Sequence, residues 1–287
     1  MFVMILVRLI SKLPFWVLYA VSDFLFIVSY RLIRYRRKMV WNNLKNSFPE
    51  KSDDELRRIE KEFYKNLCDY AVEMLKLLTI DEQELKRRVV FKNPEVLLNY
   101  HAEGKSVLDL TSHHFNWEWL LTSFSILLRD RVDFVYQPVR SPFFEKVSLY
   151  SRTRFGAYAI KRDEVAREIV KRKNIVRSLA VVGDQYPGYK HDKKFATKFL
   201  NQDTVFFYGS YQIALLTQYP VVYASIKKTK RGYYEATLIR LAEPPYDKND
   251  NRVLESYIRM VEQAIRERPA EWLWSHNRWK TRHLEQQ

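Results

Sequence analysis

From Val107 onward the chain alternates between short apolar runs of strand length and longer amphipathic runs of helix length. This alternation constrains the fold more than any other feature. Val107–Leu110, Val132–Tyr136, Val176–Val182 and Val221–Ile226 read as strands. Between them lie helical stretches ending near Leu128, running from Pro142 toward Arg154, and covering Tyr211–Gln218. Strands separated by helices of that length form parallel βα units, because a parallel partner is reached only through a long crossover. Tyr233–Leu241 adds a strand behind the Lys230-Arg231-Gly232 turn and is expected at the sheet edge, and Asn251–Arg268 is a closing helix stopped by Pro269. The expected class is α/β, a mixed but mostly parallel sheet flanked by helices.

The first third differs. Leu13–Tyr30 is an apolar run whose only charge is Asp23, and five cations, Arg31, Arg34, Arg36, Arg37 and Lys38, follow at once. A run of this length is close to what spans a bilayer and also suits a helix lying in the interface. Positive charge beside it favours the cytoplasmic side and anionic headgroups. Residues 1–38 are therefore read as a membrane anchor with its basic flank, and 39–287 as one domain, helical to about residue 104 and α/β after. Met39–Phe48 is a short helix ended by Pro49. Ser52-Asp53-Asp54-Glu55 forms a capping box that opens a long helix toward Leu78. Cys68, the one cysteine, falls on that helix's apolar stripe and is read as a core thiol.

Lys and Arg number 49 against 34 Asp and Glu, a formal charge of +15, so an anionic partner is expected. Six glycines leave no glycine-rich phosphate loop. The chemistry-bearing stretch is Thr111-Ser112-His113-His114-Phe115-Asn116-Trp117-Glu118, where a strand ends and a helix begins, the place where α/β sheets build sites. His113 and Glu118 are five apart, about 140° around a continuous helix, so they can meet only if His113 lies in the turn before it. His114 and Glu118 are four apart and could meet on one helical face, which leaves open which histidine is the base. His113, His114 and Glu118 lack a third ligand at zinc spacing, and neither metal nor cofactor is expected.

His113-x4-Glu118 with Asn116-Trp117-Glu118 inside it resembles the catalytic block of the lipid A late acyltransferases, a branch of the lysophospholipid acyltransferase superfamily. Arg152-Thr153-Arg154-Phe155-Gly156, Gly183-Asp184-Gln185 and Trp272-Leu273-Trp274-Ser275-His276-Asn277-Arg278-Trp279-Lys280 extend the resemblance over the chain. It implies transfer of a fatty acyl chain from acyl carrier protein to a hydroxyl of a phosphorylated lipid A precursor, at the cytoplasmic face of the cell inner membrane. His113 would then be the general base, Glu118 would orient it, and Asn116 would donate to the oxyanion or cap the helix. Arg154, as the match to the family's arginine, would contact phosphate, while Asp184 and Gln185 would line the site. Trp272 and Trp279, seven apart, are read as neighbours on a terminal helix, and Lys190, Lys193, Lys194 and Lys198 as a solvated loop or a dock for the acidic carrier. Alternatives are acylation of another lipid, such as a lysophospholipid, aminolipid or glycolipid, or a non-catalytic basic protein of membrane surfaces or nucleic acid. Nucleic acid is not the expected partner.

Overall fold

The computed structural model describes residues 2–188 and 192–280. The helical first part comprises α1 (Phe2–Lys12), α2 (Phe15–Phe26), which runs on as a π-helical turn over Ile27–Leu32, α3 (Arg37–Ser47), α4 (Asp53–Lys76) and α5 (Glu82–Arg88). Then come β1 (Val89–Phe91), α6 (Glu95–Ala102), β2 (Val107–Thr111), α7 (Trp117–Leu128), β3 (Val132–Tyr136), α8 (Pro142–Thr153), β4 (Tyr158–Lys161) and α9 (Val165–Lys171). The remainder is β5 (Ser178–Val182), β6 (Lys194–Phe199), β7 (Gln202–Phe207), α10 (Gly209–Thr217), β8 (Val221–Lys230), β9 (Tyr233–Ala242) and α11 (Arg252–Glu267).

Seven strands form one sheet in the order β1-β9-β8-β2-β5-β3-β4, and every pairing is parallel except the β8–β9 hairpin. The expected mixed, mostly parallel sheet is present. One expectation is corrected: Tyr233–Leu241 is not an edge, because the three-residue β1 pairs outside it. Alternate residues divide between two cores, as the two-residue period of a strand requires. On β8, Val221 and Tyr223 join the core beneath α4 and α11, whereas Val222, Ala224 and Ile226 join the one beneath α5, α6 and α7.

Ser52 caps α4 with both bonds of the capping box: its hydroxyl accepts from Glu55 N–H, and its own N–H donates to the Glu55 carboxylate. Cys68 is buried in the core as expected. The stretch Phe15–Leu32 is long and apolar enough to cross a membrane. Yet one face of α2 is tied to α4 by polar groups: Tyr19 Oη donates to Glu73 Oε1 at 3.0 Å and Ser22 Oγ to Asp69 Oδ1 at 2.7 Å. The opposite face leaves Trp16 74% and Phe24 64% exposed.

Candidate active site

His113 sits just past the carboxyl end of β2, and Asp184 just past that of β5. The two strands are adjacent and parallel with Thr111 opposite Val182, so the same register carried forward sets His113 opposite Asp184. Asp184 is held from three sides. His113 Nδ1 lies 2.5 Å from Oδ1, the His113 backbone N–H donates to Oδ2 at 2.9 Å, and the Trp272 indole donates to Oδ2 at 2.6 Å. Burial alone would push this carboxyl up, but the adjacent imidazole and these bonds hold it well below the usual carboxylate range. A carboxylate on Nδ1 holds the proton on that nitrogen in the neutral ring and leaves the lone pair on Nε2. The His113 side chain keeps 17% of its surface open, whereas Asp184 has none.

Two further elements clamp the turn. The Tyr257 hydroxyl of α11 donates to Thr111 O at 2.7 Å and accepts from Gly183 N–H at 3.2 Å, bridging the ends of β2 and β5. The terminal block supplies the other clamp: Phe115 N–H donates to Glu271 O, Leu273 N–H donates to His113 O, and His114 forms an antiparallel bridge with Trp272. That block is not the helix read from its tryptophan spacing. After a single 3-10 turn at Pro269–Glu271 it runs extended and turned, because pairing with the His113 segment needs an extended backbone. Trp272, Trp274 and Trp279 are buried together against Phe199 and Phe48.

Glu118 does not touch His113. It stands in the first turn of α7 and pairs with Arg152 of α8, whose Nε donates at 2.7 Å, and it accepts from the Trp117 indole at 3.1 Å. Burial would raise its carboxyl, and the Arg152 charge and bonds bring it below its ordinary value. Trp117 stands between the two residues, packing edge-on against His113 at 5.0 Å between ring centroids and lying tilted by 32° against Tyr70 at 4.3 Å. The carboxylate in contact with the His113 ring is therefore that of Asp184, whereas Glu118 is engaged by Arg152.

His114 is buried, and its Nδ1 lies 2.7 Å from Ser112 Oγ. Burial depresses its pKa to about 3, so it is a neutral interior ring. Asn116 caps α7, its Oδ1 accepting from Glu118 and Trp119 N–H, while its amide donates to buried Glu73 Oε2 at 2.8 Å. Of the two roles open to Asn116, the geometry shows the cap. Arg154 is turned toward the end of α4, donating to Leu77 O and Ile80 O at 2.6 and 2.7 Å, and Arg152 is the arginine of that block which reaches Glu118. Gln185 follows Asp184, half-buried. Lys194 and Lys198 lie in β6 of the β6–β7 hairpin rather than in a loop, Lys193 immediately precedes that strand, and Lys190 lies outside the described residues.

Sequence reasoning missed Tyr257, Tyr70 and the Trp272–Asp184 bond. His276 also belongs to the surroundings: burial, then the nearby His113, lowers its pKa to about 4. Among the described residues no three His, Cys, Asp or Glu side chains could together hold a metal ion. A cavity of about 830 Å³ between β6 and α11 contains none of these groups and is assigned no part in the chemistry.

A mostly parallel sheet flanked by helices, with a carboxylate-held histidine just past its strand ends, defines an α/β protein whose polar cluster lies where such sheets build sites. The chain belongs to the bacterial lipid A biosynthesis acyltransferase family, whose sequence model matches residues 1–281. It is similar to the lipid A biosynthesis lauroyltransferase of Escherichia coli (strain K12), 21% identical over 282 residues, covering 96% of this chain and 89% of that protein.

Proposed function

We propose that this acyltransferase moves a fatty acyl chain from acyl carrier protein to a hydroxyl of a phosphorylated lipid A precursor at the cytoplasmic face of the inner membrane. The observation that carries the reading is the His113–Asp184 pair, with the ring partly open and its Nδ1 occupied. His113 Nε2 takes the acceptor's hydroxyl proton as the oxygen attacks the thioester carbonyl. The tetrahedral intermediate then expels the carrier thiolate, breaking the C–S bond, and the imidazolium returns its proton to that sulfur. The products are the new ester and the free thiol, with no acyl-enzyme. Anionic Asp184 stabilises the imidazolium between the two transfers. Glu118 and Arg152 act as a neutralised pair that fixes Trp117 against the ring, and Gln185 is the proposed contact to substrate beside Asp184.

The membrane part of the reading draws on the exposed apolar face of α2 and its basic flank. Its polar underside, joined to α4, favours an anchor lying in the interface over one standing free in the bilayer. A carrier dock is supported by Lys194 and Lys280, which both face the Tyr186 ring two residues past Asp184. Steering of an acidic carrier by such charge weakens with salt. Raising ionic strength should raise KM for the carrier thioester more than for a coenzyme A thioester. Equal use of both donors at low salt would count against the carrier. Lipid mass spectrometry of a deletion strain tests the acceptor: loss of one acyl chain from lipid A is expected, and an unchanged lipid A with another lipid altered would overturn it.

A further inference from the structure

Where the apolar N-terminal run ends, the backbone is forced into an unusual turn. Arg34 and Arg36 both adopt left-handed φ, 53° and 50°, which non-glycine residues rarely take unless their surroundings impose it. The turn is held in place: Tyr35 N–H donates to Ser29 O, the Tyr64 hydroxyl donates to Tyr35 O, and Arg36 Nη1 donates to Ser275 O at 2.8 Å. Beside it opens a cavity of about 420 Å³ lined by Arg34, Arg37, Lys38, Trp41, Arg57 and Glu60. Four cations thus face one carboxylate.

The cavity is built rather than a loose patch of charge. Glu60, its side chain fully buried, pairs with Arg37 Nε at 3.2 Å and with Arg57 Nη1 at 2.9 Å. One carboxylate therefore fixes two guanidinium groups. Each is also stacked: Arg57 lies 3.5 Å from the Trp41 ring centroid and Arg37 4.3 Å from that of Tyr30. Arg34 and Lys38 are exposed and form no ion pair among the described residues. A net excess of positive charge, with guanidinium groups already ordered, matches the several acceptor oxygens of a phosphate. The chain just before the cavity leaves Leu32 71% and Ile33 69% exposed, so apolar surface adjoins the cationic cup as acyl chains adjoin a headgroup.

We infer that this cavity binds the phosphate of an anionic membrane lipid at a site separate from His113. The inference does not rest on the acyl-transfer reading, because it concerns equilibrium binding alone. The full chain, in uncharged detergent, is titrated calorimetrically with dioctanoyl phosphatidic acid, dioctanoyl phosphatidylcholine and inorganic phosphate. Saturable binding of phosphatidic acid is expected, with the other two at least about tenfold weaker. Arg57→Gln should weaken phosphatidic acid binding by about tenfold, the loss expected of a charge-assisted fork. Arg58→Gln removes the same charge from the next, exposed position of α4 and should change it less than about twofold. Trp41→Leu keeps every charge, removes the stack, and should weaken binding severalfold, which maintains the test if Arg57→Gln unfolds. Equal losses in Arg57→Gln and Arg58→Gln would reduce the site to diffuse surface charge. Inorganic phosphate binding as tightly as the lipid would make it a free-anion site. Either result, or a lack of saturation, overturns the proposal.

Discussion

Asp184 Oδ1 lies 2.5 Å from His113 Nδ1, joining residues 71 apart in sequence, and Glu118 takes no part in that contact. Asp184→Asn would replace an acceptor by a group that can donate, turning the ring to the wrong tautomer. Single-turnover acyl transfer should fall by about 10² to 10⁴, the range for an impaired general base. His113→Ala should reach background. The Asp184→Asn, His113→Ala double variant should be no slower than His113→Ala, because the two act as a unit. Wild-type rates in Asp184→Asn would move the orienting role elsewhere.

Glu118 and Arg152 should couple to each other instead. Both are largely removed from solvent, so Glu118→Gln or Arg152→Gln leaves a charge without its partner, at a cost of about 3 to 5 kcal/mol. The double variant should recover part of that loss. Urea unfolding of the three variants checks this, and additive losses would show that the pair is not energetically linked.

The contact with Asp184 was present in the sequence only as two motifs that each follow an apolar strand. What joins them is strand order, and β2 beside β5 cannot be deduced from a run of alternating elements. The strand and helix periods were legible, as was the capping box at Ser52, because these signals are local. The β6–β7 hairpin was not. Its strand Lys194–Phe199 mixes lysines with apolar residues, and its turn uses Leu200 and Asn201, with φ of 50° and 64°, in place of a glycine-bearing pair. The terminal block misled because seven-residue tryptophan spacing fits a helix, whereas those rings converge here from an extended chain that closes over the His113 turn.

His114 predicts an acid sensitivity. Its pKa in the folded protein is about 3 against an ordinary 6.5, so the unfolded chain binds the extra proton between those values. Stability from this residue is complete above pH 6.5 and is lost as pH falls toward 3, by about 1.4 kcal/mol per unit. His114→Gln should therefore flatten the decline of stability between pH 6 and about 4. Ring ¹⁵N shifts should show a neutral His114 at pH 5, and a titration near 6.5 would contradict its burial.

Asn116→Ala removes a helix cap and a hydrogen-bond donor to Glu73 in one step. The cap is worth about 0.5 to 2 kcal/mol and the partner lost to a buried oxygen about 1 to 3. A destabilisation of about 2 to 4 kcal/mol is expected in chemical denaturation. A loss below about 0.5 kcal/mol, the ordinary surface range, would mean that neither bond matters.

Trp16→Glu and Phe24→Glu place charge on the open face of α2. Membrane retention of the double variant should drop sharply in flotation assays while its Tm stays within a few degrees, as for other exposed positions. Full retention would mean that this face does not hold the lipid.

Glu73 sets a condition on any attempt to work with a soluble version of this enzyme. One oxygen accepts from Tyr19 on the N-terminal apolar helix, and the other accepts from Asn116, which starts the helix after His113, and from Tyr234. Its neighbour one turn earlier, Asp69, holds Ser22 and Arg231 in the same manner. Deleting the N-terminal segment would strip partners from two interior carboxylates, one of which, Glu73, also holds the start of the helix that follows His113. An inactive truncated protein would then reveal nothing about whether the reaction needs a bilayer. Recoding only the outward side chains of α2 to polar ones, with Tyr19 and Ser22 kept, is the route to a detergent-free enzyme whose site still stands.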